Sequence, residues 1–493
     1  MLCAVIRGPT FEEAHLQIAQ AVAYADLVEL RLDYFHSLDI DALKVLRSHS
    51  SLPMIFTLKS HMQGGGYDMW CRLVELNPEY LDLESHVSAS LITKISSHCP
   101  ATKLILSYHN FTDTPEDLER IYQEMQRIPA SFYKIAVTAQ NCVDALRLVN
   151  WAKKKTEDNL IAISMGSYGQ VSRILGPVMR SPITYASLEE ELPSAPGQFS
   201  AKTVSERYHY HSLNSQTALY GLIGDPIDQS ISDRTHNHLM EALNFDAVYV
   251  KIQVPPSELS DFLRLAKELP FHGLSVTMPL KEAILPFLDE IDPEALDIGA
   301  VNTLLFKEGR VFGFNTDGVG CLNAIESAYP VKDKRIVIIG AGGASRAIAY
   351  EAHKRGGHVS IVNRDKSKAC QIAERLHCRG GGLDYMASCA ERGYDILINC
   401  TPSPLPIQAE YILPQAIVMD IVTRPKETLF LKLARERGCP VIYGYRMFIE
   451  QALGQFNLWF NEVSAGYKKL NAADTFDNCY LSAGFAKLYP ADT

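Results

Sequence analysis

Short apolar segments recur through the first 190 residues, and the stretches between them have helical spacing. Eight segments have the length and composition of strands: LCAVI, DLVELRLD, PMIFTLK, YLDLE, KLILSYH, FYKIAV, LIAISMG and ITYASL. Intervening stretches such as TPEDLERIYQEMQRI carry the periodicity of amphipathic helices. Eight strand–helix units in about 200 residues are typical of a (β/α)8 TIM barrel near its lower size limit. We therefore predict a barrel over residues 1–210.

A second α/β series begins at ALYGLIGDP and changes character near residue 326. Its first part contains VYVKIQV, GLSVTMP and an apparent hairpin, AVNTLLFKEGRVFGFNTD. The stretch KDKRIVIIGAGGASRAIAYEAHKRGGHVSIVNR then has the order strand, glycine-rich turn, helix, strand, which opens a Rossmann-type nucleotide-binding sheet. The chain is thus predicted to be α/β throughout, with a substrate domain at 217–325, completed by a C-terminal helix at 446–475, and a nucleotide-binding domain at 326–445.

Composition narrows the class of partner. The chain has 493 residues and a net charge of -10, which argues against nucleic acid because phosphate binding needs a basic surface. Its 11 cysteines are scattered singly, as expected for reduced core residues in a cytosol. The apolar run in MLCAVIRGP is too short for a signal peptide, and no long apolar segment follows. We expect a cytoplasmic protein with no membrane partner; the oligomeric state stays open.

Ionisable residues end several of the predicted barrel strands, where catalytic groups of such barrels lie. In VELRLD, Glu29, Arg31 and Asp33 alternate with apolar residues and should point inward or to the rim. FYKIAV places Lys134 among apolar neighbours, so its pKa is expected to fall, and a neutral amine can form a Schiff base with a ketone. His109 ends LSYHN and suits proton abstraction. Either residue alone is often structural, but the pair favours a catalytic site.

Arg173 in GQVSRIL suits a carboxylate, and the SAPGQ loop (Ser194 to Gln198) suits hydroxyl groups. Together, the motifs ELRLD, SYHNF, YKIA, SMGSYGQVSRI and SAPGQ, in this order, resemble type I 3-dehydroquinate dehydratase. The resemblance implies an imine between Lys134 and the ketone of 3-dehydroquinate, proton removal and expulsion of water by His109, and a carboxylate contact from Arg173.

The resemblance also implies a set of supporting residues around the substrate: Glu29, Arg31, Lys59, Met165, Ser194 and Gln198. The chain departs from the family in TLKSHMQGGG, where Lys59 replaces an arginine and Gln63 replaces a glutamate. Lys59 keeps the charge, whereas Gln63 lacks a carboxylate.

A second site is predicted where the nucleotide-binding sheet begins. The GAGGAS turn, with Gly340, Ala341, Gly342, Gly343 and Ala344, suits a pyrophosphate at a helix N-terminus, although Ala344 departs from the GxGxxG pattern. The next strand ends in VNRDKSK, where Arg364 and Lys368 suit a 2′-phosphate and so predict NADP. Asp365 adds an unfavourable negative charge beside that phosphate.

Upstream of this turn, SVTMPLK contains Thr277 and Lys281, and FGFNTDGVG contains Asp317. A lysine and an aspartate in one cleft can exchange a proton with an alcohol while hydride moves to or from a nicotinamide. Taken singly, an exposed lysine and a helix-capping aspartate are also plausible.

The motifs GDPIDQSIS, SVTMPLK, GAVNT, NTDGVG, GAGGASRA, INCTP and EQALGQF resemble shikimate dehydrogenase across residues 217–470. The resemblance implies that Ser230 and Ser232 bind the substrate carboxylate, and that Lys281 and Asp317 are the catalytic pair. It places on the substrate hydroxyls Thr277, Asn302, Asp317 and Gln451. It places near the cofactor Gly340, Ala341, Gly342, Gly343, Ala344, Asn363, Arg364, Lys368, Asn399, Thr401 and Gly444. Asp233 stands where the family has proline, and Thr423 where it has tyrosine.

The two resemblances imply consecutive reactions of aromatic amino-acid biosynthesis. Dehydration of 3-dehydroquinate gives 3-dehydroshikimate, which NADPH reduces to shikimate. One alternative is a metabolite-sensing regulator without activity, although the presence of all four catalytic residues favours an enzyme. The other is a quinate dehydrogenase in the second half, which would prefer NAD.

Overall fold

The computed structural model describes residues 1–58, 66–98, 100–155, 157–189 and 195–460. The chain divides into two compact units. The first contains Met1–Gly221 and His236–Phe271, and the second contains Leu222–Thr235 and the chain from His272. The three domains predicted from the sequence stay a prediction, because this division assigns part of the predicted substrate domain to the first unit.

Eight parallel strands form the sheet of the first unit, and all eight were predicted. They are β1 (Leu2–Ile6), β2 (Leu27–Arg31), β3 (Met54–Thr57), β4 (Tyr80–Glu84), β5 (Lys103–Asn110), β6 (Phe132–Thr138), β7 (Leu160–Met165) and β8 (Thr184–Ser187). Their order is β7-β6-β5-β4-β3-β2-β1-β8, so the sheet curls into a nearly closed barrel.

A helix follows each barrel strand. The helices are α1 (Phe11–Ala21), α2 (Ile40–His49), α3 (Gly66–Glu75), α4 (Ala89–His98), α5 (Leu118–Met125), α6 (Cys142–Lys153), α7 (Gln170–Ile174) and α8 (Ala201–Tyr208). Side-chain caps fix several starts: Thr10 accepts from the Glu13 N–H, Asn141 from the Asp144 N–H and Ser200 from the Thr203 N–H. Such caps satisfy backbone donors that the first helical turn leaves unpaired.

The next sheet has six strands: β9 (Ala218–Gly224), β10 (Ala247–Gln253), β11 (Phe271–Val276), β12 (Glu290–Ile291), β13 (Thr303–Lys307) and β14 (Arg310–Phe314). Their order is β10-β9-β11-β13-β14-β12, and β13 and β14 form the predicted antiparallel hairpin. The helices of this region are α9 (Ser232–Ala242), α10 (Leu259–Ala266), α11 (Leu280–Ala283), α12 (Pro293–Ile298) and α13 (Asp317–Glu326).

A parallel six-stranded sheet completes the second unit: β15 (Arg335–Ile339), β16 (His358–Val362), β17 (Arg379–Gly381), β18 (Ile396–Asn399), β19 (Ile417–Asp420) and β20 (Val441–Ile442). The order β17-β16-β15-β18-β19-β20 is the Rossmann order. Strands are added to one side of β15 up to β17, and then to its other side from β18 onward. Its helices are α14 (Gly343–Lys354), α15 (Lys366–Arg375), α16 (Tyr385–Arg392), α17 (Leu429–Glu436) and α18 (Gly444–Phe460).

The last helix packs beside the hairpin, and the part of the predicted helix from 461 to 475 lies outside the described residues. On α18, the Gln455 amide donates to the backbone oxygen of Asn302 at 3.1 Å, and the Trp459 indole N–H donates to that of Leu304 at 2.9 Å. Gly273 on β11 makes room for this indole, since a Cβ there would lie 2.1 Å from the Trp459 Nε1. None of the helices in the described ranges is long and apolar enough to cross a membrane.

The contact between Gly273 and Trp459 yields a stability prediction. Gly273→Ala should lower the free energy of unfolding of the second unit by about 1–3 kcal/mol, because backbone and indole must shift to admit the methyl group. Urea unfolding followed by circular dichroism measures this. In a Trp459→Leu background the same substitution should cost much less. An equal cost in both backgrounds would show that the indole is not the obstacle.

Candidate active sites

Four side chains from alternate strands form one layer inside the barrel. They are Glu29 on β2, Asp82 on β4, Lys134 on β6 and Tyr185 on β8, as expected for a barrel whose interior is filled in layers by every second strand. All four are buried. Toward the amino ends of the strands, the next side chains inside the barrel are apolar and include Leu27, Tyr80 and Ile183. The layer therefore separates the apolar interior from the carboxyl ends of the strands.

Lys134 lies at the centre of this layer. Its ammonium group contacts Asp82 Oδ2, lies 4.0 Å from Glu29 Oε1, and lies 4.6 Å from the centre of the Tyr185 ring. Each carboxylate is held by a hydroxyl from an intervening strand: Thr57 donates to Glu29 at 2.7 Å and Ser107 to Asp82 at 2.6 Å. The lysine is thus a paired charge in a fixed polar network.

This pairing overturns the predicted pKa of Lys134. Burial lowers its pKa and is the largest single effect, but the Asp82 and Glu29 carboxylates outweigh it and raise the pKa above its usual value. The prediction was wrong because the neighbours of Lys134 along the strand are apolar, whereas its neighbours across the barrel are acidic. In the free protein the amine is therefore held as an ammonium ion.

His109 lies on β5, two residues beyond Ser107 and on the same side of the strand. Its Nδ1 is 3.9 Å from Glu84 Oε1, and its ring stacks on Phe111 with 5.7 Å between centres. His109 and Lys134 line one cavity of about 230 Å³. The structure therefore brings the predicted base and the predicted nucleophile to the same pocket.

Arg173, on the short helix α7, lines the same cavity and is 2% exposed. One guanidinium nitrogen donates to the Tyr185 backbone oxygen at 3.0 Å, while its buried Nε has no hydrogen-bond partner within the described part of the chain. Burial lowers the pKa of Arg173 to about 10. A buried guanidinium with spare donors suits a carboxylate brought in by a ligand.

The remaining predicted barrel residues have different outcomes. Met165 and Gln198 line the cavity, and so does Arg31, which is paired with Asp33 at 2.7 Å. Three residues lie outside the described ranges: Lys59, Gln63 and Ser194.

Two carboxylates of this site were missed in the sequence, namely Asp82 and Glu84. Both are in YLDLE, which was recognised only as a strand. The signal was present, because Tyr80, Asp82 and Glu84 alternate with leucines just as the charged residues of VELRLD alternate with apolar ones.

In the second unit, Lys281 and Asp317 form the predicted pair, with 2.5 Å between Nζ and Oδ2. Lys281 belongs to α11, and Asp317 is the first residue of α13, where a negative charge is favoured by the helix dipole. Asp317 is buried, whereas the Lys281 side chain is 18% exposed. The lysine therefore presents a partly accessible proton donor beside a fixed carboxylate.

Asn302 holds that carboxylate in place. Its amide donates to Asp317 Oδ1 and to the Thr316 hydroxyl, both at 2.9 Å, and its oxygen accepts from the Thr316 N–H at 2.9 Å. Gln451 on α18 reaches the same amide, with Oε1 at 3.4 Å. The last helix thus contributes to the site through Gln451.

The other predicted substrate residues lie on the loops after β9 and β11. The hydroxyls of Ser230 and Ser232 are 2.9 Å apart at the start of α9, whose first turn also contains the buried Asp233. Thr277 follows β11 and packs against Gly224, where a Cβ would lie 2.3 Å from its methyl group. The lack of a side chain at Gly224 lets these two loops approach each other.

The glycine-rich turn leads from β15 into α14. Gly340 has φ of +117°, which favours glycine, and Gly342 caps the helix. A Cβ on Gly342 would meet no described atom within 4 Å, so this glycine leaves room for a ligand, whereas one on Gly343 would lie 3.1 Å from Lys281 Cβ. The turn, which also contains Ala341 and Ala344, thus brings the amino end of α14 next to the Lys281 pair.

Beyond β16, the cations predicted for a 2′-phosphate are exposed. Arg364 and Lys368 lie on either side of the start of α15. Asp365 caps that helix by accepting from the Ser367 and Lys368 N–H groups, and the Asn363 amide donates to its backbone oxygen at 3.0 Å. The acid therefore has a structural role, and the basic side chains fit a dinucleotide phosphate.

A buried polar cluster lies where β18 and β19 end. Asn399, at the end of β18, accepts from the Thr401 N–H at 2.9 Å and donates to Asp420 Oδ1 at 3.1 Å. Burial raises the pKa of Asp420. Gly444, the first residue of α18, lies close to the segment that follows β19, since a Cβ on Gly444 would lie 2.4 Å from the Val422 backbone oxygen. In the described ranges no group of three or more His, Cys, Asp or Glu side chains could hold a metal.

Comparison with known families matches both halves of the chain. The type I 3-dehydroquinase family matches residues 2–215. The shikimate dehydrogenase substrate binding domain matches residues 222–304, and the shikimate / quinate 5-dehydrogenase family matches residues 323–437. Both resemblances predicted from the sequence motifs are thereby confirmed.

Relatives match over the whole chain or over its second half. The shikimate biosynthesis protein AroDE of Chlamydia pneumoniae is 36% identical over 493 residues, covering 99% of this chain and 100% of the relative. The chloroplastic bifunctional 3-dehydroquinate dehydratase/shikimate dehydrogenase of Arabidopsis thaliana is 32% identical, covering 93% and 82%. The shikimate dehydrogenase (NADP(+)) of Thermococcus kodakarensis is 40% identical, covering 50% and 92%. The chain therefore belongs to the family of bifunctional enzymes that join a type I 3-dehydroquinate dehydratase, a lyase, to a shikimate dehydrogenase, an oxidoreductase.

Proposed function

We propose that the barrel dehydrates 3-dehydroquinate through an imine on Lys134, and that the second unit reduces 3-dehydroshikimate to shikimate with NADPH. The observation that carries the first half is a buried lysine, paired with two carboxylates, in one cavity with His109 and a buried arginine that has spare donors. Small hydroxylated carboxylic acids fit this combination of charges.

In the first reaction, Arg173 binds the carboxylate of the substrate and thereby fixes the ketone near Lys134. The amine must lose a proton before it attacks the carbonyl carbon; the attack then expels water and leaves a protonated imine. That iminium nitrogen keeps the positive charge of the resting ammonium, so Asp82 and Glu29 stabilise it in place. The carboxylates that raise the pKa of Lys134 thus also favour the intermediate.

His109 then takes the proton from the carbon next to the imine, and the electrons move into the iminium. The Glu84 carboxylate, 3.9 Å from His109 Nδ1, can stabilise the imidazolium that forms. The same imidazolium returns its proton to the departing hydroxyl group, which leaves as water. Hydrolysis of the imine releases 3-dehydroshikimate and restores Lys134.

In the second reaction, NADPH supplies hydride when it is bound. The residues fit such a cofactor: the start of α14 would hold its pyrophosphate, and Arg364 and Lys368 would hold its 2′-phosphate. Lys281, positioned by Asp317 and Asn302, donates a proton to the carbonyl oxygen as it becomes a hydroxyl. Ser230 and Ser232 hold the carboxylate, and Thr277 and Gln451 hold the hydroxyl groups.

Lys134→Met should abolish dehydration, with a loss of at least about a thousandfold, because no other described lysine lines the cavity. Borohydride should trap a covalent adduct with 3-dehydroquinate in the parent chain and none in the variant. NADPH-dependent reduction of added 3-dehydroshikimate should stay within about twofold. Lys103→Met, which changes an exposed lysine at the start of β5, is the matched control.

Removing Lys134 leaves two buried carboxylates, Asp82 and Glu29, without their cation and should destabilise the barrel. The double variant Lys134→Met/Asp82→Asn removes the closest ion pair and should restore most of the thermal stability without restoring dehydration. Dehydration that returns in the double variant, or an adduct that persists in Lys134→Met, would contradict the imine mechanism. An intact, folded parent chain with neither activity would instead favour a metabolite-sensing regulator.

Asp82→Asn should move the pH dependence of adduct trapping to lower pH. Trapping needs the neutral amine, so its rate rises with pH through the pKa of Lys134, and loss of the carboxylate removes a cause that raises this pKa. Dehydration at neutral pH should nevertheless fall about tenfold or more, because the iminium loses its partner. Glu84→Gln, on the same strand but next to His109, should leave the trapping profile in place. An unchanged profile in Asp82→Asn would rule out this coupling.

Arg364→Gln should raise the KM for NADPH about tenfold or more and leave the KM for NADH nearly unchanged, since only NADPH has the 2′-phosphate. Arg375→Gln, in the last turn of the helix α15 that follows Arg364, is the control. The family description also names quinate, so the parent chain should be assayed with shikimate and quinate and with both oxidised cofactors. A preference for quinate with NAD would overturn the assignment of the second half.

A further inference from the structure

A basic groove lies at the amino ends of the Rossmann strands. The glycine-rich turn lies at the opposite, carboxyl ends of these strands. The volume of the groove is about 740 Å³, and it extends across the starts of β15, β16 and β17 and the ends of α14 and α16. Six cationic or titratable basic side chains line it: Arg335, His353, His358, His377, Arg379 and Arg392. Neither reaction of the proposed function uses any of them.

Strand register explains why three of these side chains converge. Arg335 pairs in register with His358, and Ser360, two residues further along β16, pairs with Arg379. Register partners on neighbouring strands share a face of the sheet, as do residues two apart on one strand. Arg335, His358 and Arg379 therefore lie on the same face of the sheet, with Arg335 beside His358 and Arg379 beside Ser360.

Neutral groups orient two of the guanidinium groups. Arg335 donates to the Arg392 backbone oxygen. Arg392 donates to the Tyr385 hydroxyl at 2.7 Å and lies 5.0 Å from the centre of its ring. Both side chains are thus oriented before any ligand arrives, which reduces the entropy cost of binding.

Of the three arginines in the groove, only Arg335 has a carboxylate partner within the described residues. Asp395 accepts from the Arg335 N–H at 2.7 Å and lies 3.8 Å from its Nε. In the part of the chain that the structure describes, neither Arg379 nor Arg392 forms an ion pair. The helix dipole favours a positive charge at Arg392, which lies in the last turn of α16. Arg335 and Arg379 are the first residues of strands, where no helix dipole stabilises their charge. Like charges repel one another, so a cluster of basic side chains is unfavourable unless an anion binds it. The cluster is also unusual because the chain as a whole has a net charge of -10.

We propose that this groove binds a small anion with two or more phosphate or carboxylate groups, at a site separate from both active sites. The volume is in the range of small-molecule sites, which is roughly 300–1,000 Å³. Arginine forks match phosphate and carboxylate oxygens, and a polyanion would relieve the repulsion among the basic side chains.

Isothermal titration calorimetry on the full chain tests this. Pyrophosphate and citrate are the probes for the two anion chemistries. Each is added in the presence of saturating NADP+ and 3-dehydroshikimate, a pair that cannot exchange hydride, so that both proposed active sites are filled. The groove variant is Arg379→Gln/Arg392→Gln. The control is Lys432→Gln/Arg435→Gln, which removes the same charge from exposed positions on α17. Both variants should retain dehydration and NADPH-dependent reduction.

At least one probe should bind the parent chain at 1:1 stoichiometry, and the groove variant should bind it about tenfold or more weakly, while the control stays within about twofold. Binding of pyrophosphate alone assigns the groove to phosphorylated compounds, and binding of citrate alone to polycarboxylates. The proposal is overturned if neither probe binds the parent chain, or if the groove variant and the control weaken binding equally.

Discussion

The ion pair between Lys134 and Asp82, with Glu29 close by, is the constraint on which the barrel depends. An unpaired ammonium group inside a protein is strongly unfavourable, so a lysine at this depth requires carboxylates within reach. Those carboxylates come from β2 and β4, whereas the lysine is on β6. Only a sheet curled into a barrel brings every second strand together in one layer. Folding of the barrel and assembly of its charged site are therefore the same event.

The pairing also accounts for how the site can be stable and reactive. Asp82 and Glu29 hold the resting lysine as an ammonium ion, which satisfies the buried charges before substrate arrives. The proposed imine intermediate carries its positive charge on the same nitrogen, so the surroundings need little rearrangement when it forms. Such preorganised electrostatics are a major source of enzymatic rate acceleration. The second unit uses the same principle on a smaller scale, because Asn302 fixes Asp317 and Asp317 fixes Lys281.

The positions of both active sites follow from the direction of the parallel strands. In the barrel, the predicted site residues lie inside the strands, at their carboxyl ends or on the segments that follow them. In the Rossmann sheet they lie at or beyond the carboxyl ends of the strands. The opposite edge of the Rossmann sheet carries the basic groove, where the register of β15, β16 and β17 aligns side chains that are up to 44 residues apart in sequence. One sheet can therefore offer two chemically different edges.

The sequence by itself determined most of the architecture. Strand and helix periodicity predicted all eight barrel strands, and the turns and motifs predicted the Rossmann unit, the hairpin and the return of the last helix, because these are local patterns of polarity and backbone preference. It also located Lys134, His109, Arg173, Lys281 and Asp317. Only the tertiary structure decided the direction of the Lys134 pKa shift and the positions of Asp82 beside Lys134 and Glu84 beside His109. It also decided that Arg335, His358 and Arg379 share one face of the sheet. Electrostatic effects depend on distances across the sheet, and the order of residues along one strand does not contain those distances.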